Sequence, residues 1–185
     1  MNTHDEDHEL MTHIARRDKD AYQILVNKYL DTCVRFAERM LGNRQDAEDI
    51  AQETCLKIWK DPTSWKQQSR FSTWLYRVMF NACIDHKRKD IPFANVELEE
   101  LQDHAQVVDE LLIERQKAAY MQQLLQQLPD RQRAALVLCY YEDINNQQAA
   151  DALGINIGAL QQLLFRARQN LKILLMKKSL EQVNE

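Results

Sequence analysis

The sequence has only three glycines and three prolines in 185 residues. Turn-dense β folds need special backbone conformers at many corners, so this scarcity argues against them. No apolar run is long enough to span a bilayer, so no membrane insertion is expected. Residues Met1 to Glu9 are acidic and His-rich, not basic and then apolar. A secretory signal is therefore not expected, and the expected compartment is the cytoplasm. Cysteine occurs at 33, 55, 83 and 139, with no CxxC pair, and each lies on an apolar helical face. Buried structural thiols are expected, without disulfides or a zinc site. There is no phosphate-cradling glycine loop, nucleophile elbow or His-Glu zinc motif. The chain is accordingly not expected to be an enzyme, and no catalytic residue, cofactor or metal is assigned. His4 and His8 stand four apart near Asp5 and Asp7. That spacing can chelate a metal on a helix, but a frayed polar N-terminus is the simpler expectation.

What the sequence does contain is helix-forming residues. Hydrophobic residues make up 45% and charged residues 28%, which excludes wholesale disorder, and Leu, Gln, Ala, Lys, Arg and Glu predominate. The expected fold is all-α. Helices are predicted over 8–18, 20–41, 46–60, 73–89, 109–127, 129–141, 147–153 and 157–176, from apolar residues spaced by three and four and from stops such as Gly42-Asn43 and Asp61-Pro62. The net charge of −4 is not spread evenly. Residues 91–108 hold Glu97, Glu99, Glu100 and Asp103 and no basic residue, while the segments on either side are each neutral. Two small helical domains, 1–90 and 109–185, joined by an acidic, flexible linker at 91–108, are the expected organisation. Two basic segments stand out: Arg70, Arg77, Lys87, Arg88 and Lys89, then Arg166, Arg168, Lys172, Lys177 and Lys178. Two local basic segments on a mildly acidic chain point to two contacts with a polyanion; two solvated helix faces are the plainer alternative.

Three constellations carry chemistry. Gln147 to Leu153, Gly154-Ile155-Asn156 and the helix from Ile157 read as a helix-turn-helix. Gly154 can take the left-handed conformation and Asn156 can cap the second helix. Leu160, Leu164, Ala167, Leu171 and Leu174 form its core stripe, and Gln161, Gln162, Phe165, Arg166 and Gln169 face away. Gln can read adenine edges and Arg can take guanine or phosphate. An αα-hairpin of a bundle is the alternative. On 73–89, Trp74, Arg77, Asn81, Asp85 and Arg88 share the side opposite an apolar face, and the preceding loop adds Trp65, Arg70, Phe71 and Ser72. Flat rings, an amide and guanidiniums in one stripe suit unpaired bases beside a phosphate chain. An amphipathic helix whose Trp fills a groove reads the same pattern otherwise. On 46–60, Asp46, Asp49 and Glu53 lie together, favouring the helix dipole or offering a face to a basic partner.

The strings DAEDIAQETCLKIWK, FSTWLYRVMFNACIDHKRK and LPDRQRAALVLCYYEDINNQQAADALGINIGALQQLLFRARQNL occur in that order. Together they make the chain resemble the extracytoplasmic-function (ECF) sigma factors of bacterial RNA polymerase over about residues 15–178. The resemblance implies sigma regions two and four, core RNA polymerase and promoter DNA as partners, and an anti-sigma factor. It implies promoter selection by −35 duplex binding and −10 strand opening. It places Asp46, Asp49, Gln52 and Glu53 on the polymerase-docking segment. It places Trp65 and the loop through Ser72, with Asn81, at a pocket for a flipped −10 base, and Trp74, Arg77 and Arg88 beside melted DNA. Residues 157–169 correspond to the helix entering the −35 major groove, and the acidic linker to a segment threading the polymerase interior. Where the family commonly has a basic residue, Ser and Arg, this chain has Gln161, Gln162 and Leu163. Fewer cations mean fewer phosphate contacts and a shallower salt slope. Leu163 and Phe165 also stand off the expected core stripe, where a protein partner could meet them. The rival readings are a dimeric helix-turn-helix regulator of duplex DNA and a helical adaptor without nucleic acid.

Overall fold

The computed structural model describes the backbone of residues 3–66, 69–89 and 110–183, and side chains over 6–66, 69–89 and 115–177. The expected linker, 91–108, lies outside the described residues. Among these there are eight α-helices and no strand. They are α1 (Thr3–Ala15), α2 (Lys19–Leu41), α3 (Arg44–Lys60), α4 (Phe71–Lys89), α5 (Glu110–Gln126), α6 (Asp130–Leu136), α7 (Asn146–Leu153) and α8 (Ile157–Val183). None is long and apolar enough to cross a membrane.

The helix ends follow from local chemistry. Asp18 accepts from the amides of Asp20 (2.9 Å) and Ala21 (3.1 Å), and Asn43 from those of Gln45 (2.8 Å) and Asp46 (3.2 Å). Gly42 ends α2 at φ +80°, a conformation that L side chains rarely adopt. The expected helix over 129–141 departs from regularity after Leu136, where Val137–Tyr141 widens into a π turn. The predicted start of α4 at Thr73 moves back to Phe71, because Phe71 is needed inside the core.

In the N-terminal module, α2, α3 and α4 enclose Leu25, Phe36, Met40, Ala47, Ala51, Leu75 and Met79. Helix α1 is not frayed. Asp7 is buried and accepts from the Tyr29 hydroxyl at 2.6 Å and the Lys28 ammonium at 2.7 Å, which fastens α1 to α2. The same carboxylate adds to burial in pushing the Tyr29 phenol pKa up. In the C-terminal module, Leu124, Leu125, Ala134, Leu138, Ala149, Leu153, Leu160, Leu164 and Ala167 are buried. The apolar spacing over 109–127 offers Leu112, Ile113, Ala119, Tyr120, Leu124 and Leu125 for burial; Ala119 is exposed, and the side chains of Leu112 and Ile113 lie outside the described residues.

The two modules pack on each other, α4 against α7 and α2 against α5, α6 and the π turn, and their buried residues form one continuous cluster. The C-terminal end of α2 is the centre of this contact. Gln122 donates to the Glu38 carbonyl (2.7 Å) and Gln126 to that of Arg39 (2.9 Å). The buried guanidinium of Arg133 donates to the Met40 carbonyl and to the carbonyls of Leu125 (2.7 Å), Gln126 (2.6 Å) and Leu128 (3.0 Å). A buried cation requires such saturation, and here it meets the negative end of a helix dipole. Burial pulls the Arg133 pKa down, and Asp130 opposes the shift.

Candidate nucleic-acid interface

The helix-turn-helix forms as its sequence dictates. Gly154 adopts φ +64° at the end of α7, and Asn156 accepts from the Ala159 amide at 2.8 Å, capping α8. Leu160, Leu164 and Ala167 are buried, and Leu171 and Leu174 pack partly against the same core. On the opposite side Gln161, Gln162, Phe165, Arg166 and Gln169 are all exposed, Phe165 by 62%. A shallow cavity is lined there by Gly158, Gln161, Gln162, Phe165 and Arg166. Leu163, expected off the core, packs partly against it, so Phe165 is the outlying apolar side chain of this exposed face.

On α4 the two sides separate as expected. Leu75, Tyr76, Met79, Phe80 and Cys83 are buried, while Arg77, Asn81, Asp85 and Arg88 are exposed along one stripe. Trp74 is half-buried with its ring 5.5 Å from Phe71. Arg70 is exposed and Ser72 partly so.

Two expected −10 residues are placed differently. Trp65 is 6% exposed and Phe71 1% exposed. The rings meet edge to face with centroids 5.6 Å apart, His8 packs 6.2 Å from Trp65, and the Trp65 indole N–H donates to the Ser69 carbonyl at 3.2 Å. Both rings are covered by protein side chains. The loop is polar in sequence and free of any local core stripe, but α1 folds over it and brings the core to the loop. Sequence periodicity could not register a contact between α1 and a loop so far along the chain.

The acidic cluster on α3 is on the surface. Asp49, Gln52 and Glu53 are exposed, and Asp46 is partly covered, with its carboxylate 3.5 Å from the His86 ring nitrogen. Ala47, Ile50, Ala51, Thr54, Cys55 and Ile58 are buried beneath them. Trp59, which the spacing of apolar residues over 46–60 places on the same stripe, is only partly buried. Tyr22 packs against its ring at 5.0 Å, and the Arg17 guanidinium sits 5.5 Å over it.

Cys33, Cys55 and Cys83 are buried free thiols. Cys139, which lies within the π turn, departs from the expectation by being partly exposed, and the Asn146 side-chain oxygen lies 3.6 Å from its sulfur. Burial raises all four pKa values, that of Cys83 to about 12, so the thiols stay protonated at neutral pH.

Comparison with known proteins agrees with this architecture. The Sigma-70 region 2 model matches residues 25–90 and the Sigma-70 region 4 model residues 118–171. The ECF RNA polymerase sigma factor SigW of Bacillus subtilis is 31% identical, over 86% of this chain and 91% of its own length. The RNA polymerase sigma-H factor of Pseudomonas aeruginosa is 29% identical, over 91% and 93% respectively. Among solved structures, CnrH in complex with the cytosolic domain of CnrY aligns with a TM-score of 0.68 at 22% identity, covering 93% of this chain and 98% of that one. The sigma factor RpoE in complex with the anti-sigma factor NepR from Bartonella quintana aligns with a TM-score of 0.66 at 23% identity, covering 86% and 98%. With region 2 over the acidic and aromatic-basic helices and region 4 over the helix-turn-helix, the chain belongs to the ECF sigma factors, which direct RNA polymerase to promoters.

Proposed function

We propose that this sigma factor reads a −35 duplex with α8 and holds opened −10 DNA on α4. The observation that carries the reading is the division of α8 into two faces. Its core side is buried, and Gln161, Gln162, Phe165, Arg166 and Gln169 stand exposed just after a capped start. That is the placement a recognition helix needs to present side chains to base edges. For −10 DNA the available set is Trp74, Arg77, Asn81 and Arg88, with Arg70 and Ser72 at the head of the helix. Trp65 and Phe71 act beneath them by fixing the loop. Asp46, Asp49, Gln52 and Glu53 form the face offered to core RNA polymerase. Region two occupies 1–90, the acidic linker 91–108 and region four 109–185. The protein is a non-enzymatic cytoplasmic factor, without cofactor or metal, whose activity an anti-sigma factor restrains.

The direct test is Arg166→Ala, measured on duplex −35 DNA. A bidentate base contact predicts a loss of about 1–3 kcal/mol, concentrated on one base pair. A loss equal across all sequences would assign Arg166 to phosphate instead. Unchanged binding would remove α8 from the duplex.

A further inference from the structure

The contact between the modules uses groups that the functional reading needs elsewhere. On α4, the Arg77 guanidinium donates to the Asp151 carbonyl of α7, and Lys87 pairs with Asp130 of α6. At the end of the π turn, Glu142 reaches into the N-terminal module. Its side chain is 4% exposed. One carboxylate oxygen accepts from Arg39 at 3.1 Å, and the other from the Tyr76 hydroxyl at 3.1 Å. Arg39 is further held over the Tyr141 ring at 4.6 Å. A carboxylate so desolvated is retained only where charge-assisted partners compensate it, and both of these partners belong to the other module.

This arrangement is incompatible with simultaneous reading of two promoter elements. Their centres, at −35 and −10, are about 25 base pairs apart, roughly 85 Å at about 3.4 Å per pair. Yet α4 packs directly on α7, and α7 on α8. Each packing step separates helix axes by only about 8–10 Å. The −35 face of α8 remains open in this state, whereas the −10 face of α4 is engaged through Arg77.

We propose that Glu142 is an intramolecular latch: with Arg39 and Tyr76 it holds region four on the strand-opening helix of region two, and promoter engagement must first break it. The inference rests on the assignment of α4 and α8 to the two promoter elements. A closed population lowers the apparent affinity for any partner that needs the open chain, in proportion to the open fraction.

The experiment uses the full chain as wild type, Glu142→Gln and Tyr76→Phe. Two variants on opposite sides of the contact guard against a local packing defect, and circular dichroism verifies their helicity. Small-angle scattering is expected to show a compact wild type and a larger radius of gyration in both variants. Affinity for core RNA polymerase with a promoter carrying both elements is expected to rise roughly tenfold or more in Glu142→Gln, as loss of a charge-assisted hydrogen bond shifts the closed equilibrium. Affinity for an isolated −35 duplex is expected to stay unchanged, because α8 is already open. Equal radii in all three proteins, or unchanged affinity for core polymerase and promoter in both folded variants, would overturn the latch. If the variants open but no form binds a −35 duplex, the assignment of α8 is what fails.

Discussion

Trp65 shows what one residue does when its neighbours are distant in sequence. It carries a large apolar ring in a loop with few apolar neighbours, and it packs against Phe71 and His8 with its N–H satisfied by Ser69. Its main contribution is therefore to stability. Trp65→Ala is expected to cost about 3–5 kcal/mol in denaturant unfolding, the range for emptying a buried aromatic site. Unchanged stability with impaired promoter opening would return the ring to direct base contact. Arg133 is the complementary case, a polar residue made indispensable by its place. Nothing in the string LPDRQR says that its guanidinium will be buried, because the Met40 carbonyl lies 93 residues earlier. The exposed side chains proposed to meet DNA were, by contrast, legible as surface. Gln161, Arg166, Arg77 and Asn81 lie opposite stripes that the apolar spacing identifies as core, and solvent claims what the core does not.

At the scale of elements, the helix-turn-helix depends on two local devices that can be tested separately. A Cβ at Gly154 would meet nothing within 4 Å, so a substitution there reports backbone strain alone. Gly154→Ala is expected to destabilise by about 1 kcal/mol or somewhat more, and Gly154→Asn by less, because Asn tolerates the left-handed conformation. Asn156→Ala removes the α8 cap and is expected to cost about 1 kcal/mol. Thermal unfolding measures all three, and an Ala as well tolerated as Asn at 154 would contradict the strain account. Gly42 differs. It combines φ +80° with a crowded site, where an added Cβ would stand 2.9 Å from the Gln126 side chain. Its substitution would therefore disturb the module contact as well as the turn. The starts of the capped helices were legible to within a few residues. The expectation failed at α1, which extends back to Thr3, at the end of α8, which runs to Val183 and not to 176, and at the π turn, which interrupts a segment of ordinary helical pattern.

For the whole molecule, the shared core and the buried Arg133 and Glu142 contacts couple modules that the charge pattern separates. Such coupling predicts one cooperative transition. Far-ultraviolet circular dichroism and tryptophan fluorescence are expected to report the same midpoint. The probes differ usefully, since all three tryptophans, Trp59, Trp65 and Trp74, lie in the N-terminal module while helix spans both. Separate midpoints would show that the modules unfold independently and that their contact contributes little. Glu142→Gln should bring the molecule nearer to that behaviour by weakening the contact.

The sequence by itself determined the helical class, the positions of most helices, the helix-turn-helix and the family. These depend on spacing, capping residues and glycine placement between near neighbours, and the chain carries that information locally. Only the tertiary structure decided that Trp65 and Phe71 turn inward, that Asp7 fastens α1 in place, and that α7 rests on α4. Each depends on a partner supplied from far along the chain. A side chain's pattern shows that it must be buried or paired, but the partner's position in space decides where.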